Sequence, residues 1–78
     1  MKTPRGVSGD RLVRMLERLG YFVVRQKGSH IRMKHNGPPE DLVTVPRHKS
    51  INVGTLHPIL LQVAAARSIS IESLIDKL

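Results

Sequence analysis

From residue 30 to residue 34 the chain reads His30-Ile31-Arg32-Met33-Lys34, and this strict alternation constrains the fold more than any other stretch. A period of two belongs to an extended strand, whose successive side chains point to opposite faces. Ile31 and Met33 must then face a core, while His30, Arg32 and Lys34 face away from it. A sheet with one apolar and one cationic face is covered by helices on one side only. That selects an α+β arrangement over one with helices on both faces.

The flanking segments supply the other elements. Tyr21–Gln26 is rich in aromatic and β-branched residues and reads as a strand, joined to residues 30–34 by the tight turn Lys27-Gly28-Ser29. Asn36-Gly37-Pro38-Pro39 must turn, and Leu42–Val45 forms a third strand that Pro46 ends. Upstream, Ser8 is a helix N-cap with Asp10 in the first turn. Leu12, Met15, Leu16 and Leu19 follow at helical spacing, and Gly20 is the stop. Arg11, Arg14 and Arg18 fall on the other side of that helix. Downstream, Thr55 is read as the cap of a second helix, with Pro58 in its first turn and Leu56, Ile59, Leu60 and Val63 as its buried stripe. Ser70 caps a last short helix, across which Ile69 and Leu74 are spaced as a hydrophobic staple. Residues 1–7 read as a short flexible lead to a single domain spanning 1–78. Tight connections make the strands an antiparallel three-stranded meander, with two main helices on one face, a short C-terminal helix, and the other face open.

At 78 residues the chain has room for one domain. It lacks cysteine, which excludes disulfide staples, thiolate zinc sites and a cysteine nucleophile. The formal net charge is +7, from 13 Lys+Arg against 6 Asp+Glu. Such a balance favours phosphate backbones, acidic proteins or anionic membrane surfaces as partners. No apolar run approaches the roughly 20 residues of a membrane span, and Met1–Gly9 has no apolar signal core, so a cytoplasmic protein without a membrane partner is expected. One Tyr, one Phe and no Trp argue against a protein that stacks base after base on aromatic rings. An RNA partner would be gripped by backbone and shape.

The open sheet face carries the candidate chemistry. Arg25, Lys27, Arg32, Lys34, Arg47 and Lys49 place six of the 13 Lys+Arg within residues 25–49, beside only Glu40 and Asp41. Cations at this density grip phosphates without reading sequence. His30 follows Gly28-Ser29 at a strand start, where the turn can hold its imidazole against an approaching backbone. A histidine exchanges protons near neutrality. RNA cleavage asks for a base at the 2′-hydroxyl, a positive clamp on the phosphorane and a proton for the leaving oxygen. A metal site is disfavoured: His30 and His35 point to opposite strand faces, and no carboxylate spacing completes a ligand set with His48. No metal and no small-molecule cofactor is therefore expected. Ser29 has no local acid–base partner and is set aside as a nucleophile. Pro39-Glu40-Asp41 reads as a solvated turn, and His57 as a capping or packing residue.

Gly20-Tyr21 after a leucine-rich helix, the block Arg25-Gln26-Lys27-Gly28-Ser29-His30 with the strand Ile31–His35, then Val45-Pro46-Arg47-His48 and Gly54-Thr55-Leu56 with Ile59-Leu60, resemble in order and spacing the HicA toxins. The resemblance covers roughly residues 8–78. It implies a double-stranded-RNA-binding-like fold and a ribosome-independent mRNA interferase, the toxin of a type II toxin–antitoxin pair. It implies a HicB-type antitoxin as the partner that covers the active site, and His30 as the single catalytic histidine. His48 is the candidate for a supporting role. Arg25, Lys27, Ser29, Arg32, Lys34, Arg47 and Lys49 are the expected RNA contacts. The alternatives are a non-catalytic RNA-binding module on the same face, and a small protein whose charge serves to bind an acidic partner.

Overall fold

A computed structural model describes residues 3–78, and its elements run α1 (Gly9–Arg18), β1 (Phe22–Lys27), β2 (His30–His35), β3 (Asp41–Pro46), α2 (Val53–Arg67) and α3 (Ile71–Lys77). The order is that of an α+β, double-stranded-RNA-binding-like fold. Ser8 caps α1 by accepting from the Arg11 N–H at 3.1 Å. Leu12, Met15 and Leu16 form the helix's buried stripe. The chain leaves α1 through Gly20, whose φ is +99°. A Cβ there would also lie 2.9 Å from His35 Nε2, so backbone and packing both require glycine. Among the described residues no single helix is long and apolar enough to cross a membrane.

The strands form one antiparallel sheet in the order β1-β2-β3. β2 and β3 pair without interruption from His30↔Pro46 to His35↔Asp41. Their inward residues Ile31, Met33, Val43 and Val45 are buried against Leu12, Met15 and Leu16 of α1 and Leu56, Leu60 and Val63 of α2. All six residues of β1 are exposed, so the helical layer covers β2 and β3 and stops short of β1.

Three expectations change. The cap of α2 lies three residues ahead of Thr55, at Asn52. Its side chain accepts from the Gly54 N–H at 2.8 Å, and its carbonyl accepts from the Thr55 and Leu56 amides. Pro58 therefore sits inside the helix rather than in its first turn. Its missing N–H leaves the Gly54 carbonyl without a helical partner. The N-terminal lead is also anchored where it meets the domain. Val7 is buried, and its carbonyl accepts from the Ile51 amide at 2.7 Å. Thr3 Oγ1 lies 2.5 Å from His57 Nδ1, which gives His57 a packing role. Met1 and Lys2 of the expected lead lie outside the described residues.

Asp41 is not part of a solvated turn. It opens β3 and takes two roles in a polar cluster at the sheet end far from the 28–29 turn. Its Oδ2 accepts from the buried Tyr21 hydroxyl at 2.6 Å, and its Oδ1 from Gln62 at 2.8 Å. Gln62 also donates to the Leu42 carbonyl at 2.7 Å, which closes part of the outer edge of β3. The Arg67 guanidinium lies 5.7 Å from the Tyr21 ring centroid and donates to the Pro39 carbonyl. His35 Nδ1 accepts from the Gly37 amide, and Nε2 lies 3.1 Å from the Leu19 carbonyl, so the ring proton belongs on Nε2. The cluster ties α1, β3 and α2 together at one end of the sheet.

Burial pushes the Tyr21 hydroxyl well above its ordinary value of 10.0, and its hydrogen bond to the Asp41 carboxylate pushes it further. Removing this donor, Tyr21→Phe should lower stability in urea by about 1 kcal/mol at neutral pH. The folded-state pKa is raised, so the contribution is complete below the unfolded value near 10.0 and is lost as pH rises beyond it. The wild type should lose stability more steeply above that pH than Tyr21→Phe. Parallel slopes for the two proteins would contradict this account of Tyr21.

Candidate functional site

The site is assembled around the turn between β1 and β2. Lys27 and His30 are paired across it, with Gly28 and Ser29 as its two central residues. Gly28 takes φ +57° and Ser29 keeps a negative φ, the pattern of a type II′ hairpin turn. The Arg47 amide donates to the Ser29 carbonyl at 2.6 Å and carries the β2–β3 ladder one step past His30↔Pro46. Backbone bonds to both neighbouring strands thus fix His30, while its ring stays exposed.

A bulge sets the rest of the face. Val23 pairs with Met33, but the next pair is Arg25 with Arg32, so Val24 is an extra residue in β1. Unbroken alternation would put Phe22 and Arg25, three residues apart, on opposite faces. The bulge puts both on the open face, as their partners Lys34 and Arg32 require. Arg25, Lys27, His30 and Arg32 then converge with Thr44 around one shallow depression of about 310 Å³.

The charges in this depression are not balanced. Arg25 stands directly opposite Arg32, and Lys27 directly opposite His30. Like charges in facing positions destabilise a sheet. No carboxylate is among the residues lining the depression. The cations at the margins are partnered: Lys34 Nζ lies 3.0 Å from Glu40 Oε1, and Arg47 Nε 3.2 Å from Asp10 Oδ1. Both pairs are partly open to water and hold their lysine or arginine weakly, by roughly 0.2–1 kcal/mol.

The structure therefore divides the expected site residues. Arg25, Lys27, His30 and Arg32 come together. Lys34 shares their face but lies at its other end. Ser29 is at the hairpin tip. Arg47, His48 and Lys49 are exposed beyond the end of β3 and do not line the depression. Thr44 does line it, opposite Arg32, and went unread in the sequence. The alternation of Leu42-Val43-Thr44-Val45 around two buried valines was the available signal. Among the described residues no group of three His, Asp or Glu side chains is placed to hold a metal ion. What the arrangement offers is an imidazole able to exchange a proton, set among cations that an incoming anion would neutralise.

The family model described as the HicA toxin of bacterial toxin–antitoxin systems matches residues 9–64, which include α1, the whole sheet and most of α2. No curated protein matched the chain.

If the Arg25–Arg32 opposition is held for an anion, relieving it should stabilise the free protein. Arg25→Glu should raise unfolding free energy by about 0.5 kcal/mol at low salt, a gain that shrinks as salt screens the face. The same substitution should weaken polyanion binding. A loss of stability at low salt would show that the two arginines are not in uncompensated repulsion.

Proposed function

The chain belongs to the HicA toxin family, so it is the toxin of a toxin–antitoxin pair, and from that premise we propose that it is an mRNA interferase, a metal-independent endoribonuclease acting through His30. The observation that carries this reading is the depression itself: one exposed histidine beside two directly opposed arginines and a lysine, with no acid lining it. A phosphodiester is the ligand whose charge such a face lacks.

The chemistry follows from those groups. A backbone phosphate lying between Arg25 and Arg32 relieves their repulsion and sets the adjacent ribose beside His30. The 2′-oxygen forms a bond to phosphorus, the bond from phosphorus to the 5′-oxygen breaks, and a 2′,3′-cyclic phosphate and a 5′-hydroxyl result. His30 takes the proton from the 2′-hydroxyl or supplies one to the leaving oxygen, and solvent completes the other transfer. The arginines and Lys27 balance the charge that grows on the phosphorane. Ser29, Lys34, Arg47 and Lys49 extend the grip on the flanking backbone, and His48 is at most a supporting group beyond the depression. The substrate places its action in the cytoplasm. The partner is a HicB-type antitoxin, whose acidic surface covers this face and excludes RNA.

His30→Ala should keep the wild-type fold and RNA affinity and cut RNA at a rate lower by about 10²-fold or more. Cleavage should persist in EDTA and should fail on a strand with 2′-deoxyribose at the scissile nucleotide. An unchanged rate on that strand would exclude 2′-hydroxyl attack, and binding without turnover would leave an RNA-binding module.

Salt should report the grip on the backbone. Three clustered cations, Arg25, Lys27 and Arg32, predict a log–log salt slope of about −2 for single-stranded RNA, at roughly 0.7 per neutralised phosphate. Affinity that is flat in salt would remove the basic face from the reading.

Antitoxin and RNA should compete for the face. A ternary complex that still cleaves RNA would contradict that arrangement.

A further inference from the structure

The open face continues past the depression and changes character. Along β2 its outward residues are His30, Arg32 and Lys34, so the Lys34 row lies about 13 Å from the His30 row. In that row Lys34 stands between Phe22 of β1 and Leu42 of β3. Phe22 is 41% exposed and Leu42 49%. The Lys34 ammonium is drawn to Glu40, which leaves the two apolar side chains flanking its stem. The chain's single Phe is thus on its surface, while its single Tyr is buried in the core. β1 is an edge strand, and among the described residues no further strand lies beyond Phe22.

We infer that Phe22 is a nucleobase-stacking site, which takes the unpaired base of a nucleotide a few positions along the strand from the phosphate held at His30. This rests on the RNA reading of the depression and adds a base contact to it. Three observations carry the inference. The ring shares one continuous face with the Arg25–Arg32 cations, and the Val24 bulge is what puts it there. An exposed ring beside cations that hold the backbone is the pairing that binds single strands without reading sequence. The apolar surface amounts to Phe22 and Leu42 divided by a charged side chain, with the exposed Val23 and Val24 beside Phe22 along the β1 edge, far short of the roughly 1,000 Å² a stable protein interface needs but enough for one base. One stacking point also fits a chain too poor in aromatic rings to stack base after base. Helical RNA keeps its bases stacked on one another, so this contact favours a single-stranded cleavage site.

The protein has no Trp, so Phe22→Trp installs a single indole as a reporter. In a His30→Ala background, which keeps the RNA intact, the F22W indole should be quenched by a short single-stranded RNA. It should not be quenched by an abasic RNA of the same length, although both bind with the same salt dependence. Phe22→Ala, at an exposed position, should keep the wild-type circular dichroism. It should weaken binding of the intact RNA roughly tenfold and leave the abasic RNA unaffected. Equal quenching by both RNAs, or equal affinity of F22A and its parent for the intact strand, would overturn the stacking site while leaving the basic face in place. An indole silent to RNA but quenched by the antitoxin would reassign Phe22 to the protein interface and overturn the proposal. Absence of binding to either RNA at low salt would overturn the reading of the depression itself, and this inference with it.

Discussion

The structure depends on the burial of Ile31 and Met33. β2 is the central strand, and its inward pair packs with Val43 and Val45 under α1 and α2. The gain from removing these side chains from water, about 1.5–3 kcal/mol for each large one, fixes which way β2 faces. A slip of one residue would bury His30, Arg32 and Lys34 and expose the apolar pair. The cationic face is therefore a consequence of the hydrophobic core. The cationic side chains cannot be turned from this face without losing those that fold.

The six acidic residues are distributed so that this face stays charged. Asp10 and Glu40 partner Arg47 and Lys34 at its margins, and Asp41 is taken up by Tyr21 and Gln62. None enters the depression at the hairpin. Two arginines in facing positions reduce the stability of the free sheet, and an anion between them restores it. Their arrangement makes sense for a domain whose ligand supplies the missing charge.

The other end of the sheet does structural work. The Tyr21 hydroxyl, Asp41, Gln62, His35 and Arg67 bond α1, β3, α2 and the residue 36–40 connection to one another. This rigid end and the 28–29 turn hold β2 at its two ends. Arg25, Lys27, Arg32 and His30 sit on the stretch nearest the turn, where the Arg47–Ser29 bond adds a third constraint. On the proposed reading, a rigid hairpin suits a site that would place one imidazole against a phosphodiester.

Local features of the chain were enough to determine much of this. Ser8 and Ser70 cap the helices that their side-chain oxygens suggest. The alternation at residues 30–34 separates core from face, and Gly28 marks the hairpin turn, because each depends on neighbours along the chain. Tertiary structure decided what depends on pairing partners distant in sequence. The Val24 bulge exists because Phe22 must meet Lys34 while Arg25 meets Arg32, and no property of residues 22–25 alone dictates that register. Asn52 rather than Thr55 starts α2, since the Val7–Ile51 backbone bond fixes where the preceding segment runs. Asp41 became a buried tyrosine's acceptor only when α1 and β3 brought the two together. The sequence determined which residues face water and which do not. Strand pairing determined which cations face one another, because electrostatic opposition is a property of register and not of composition.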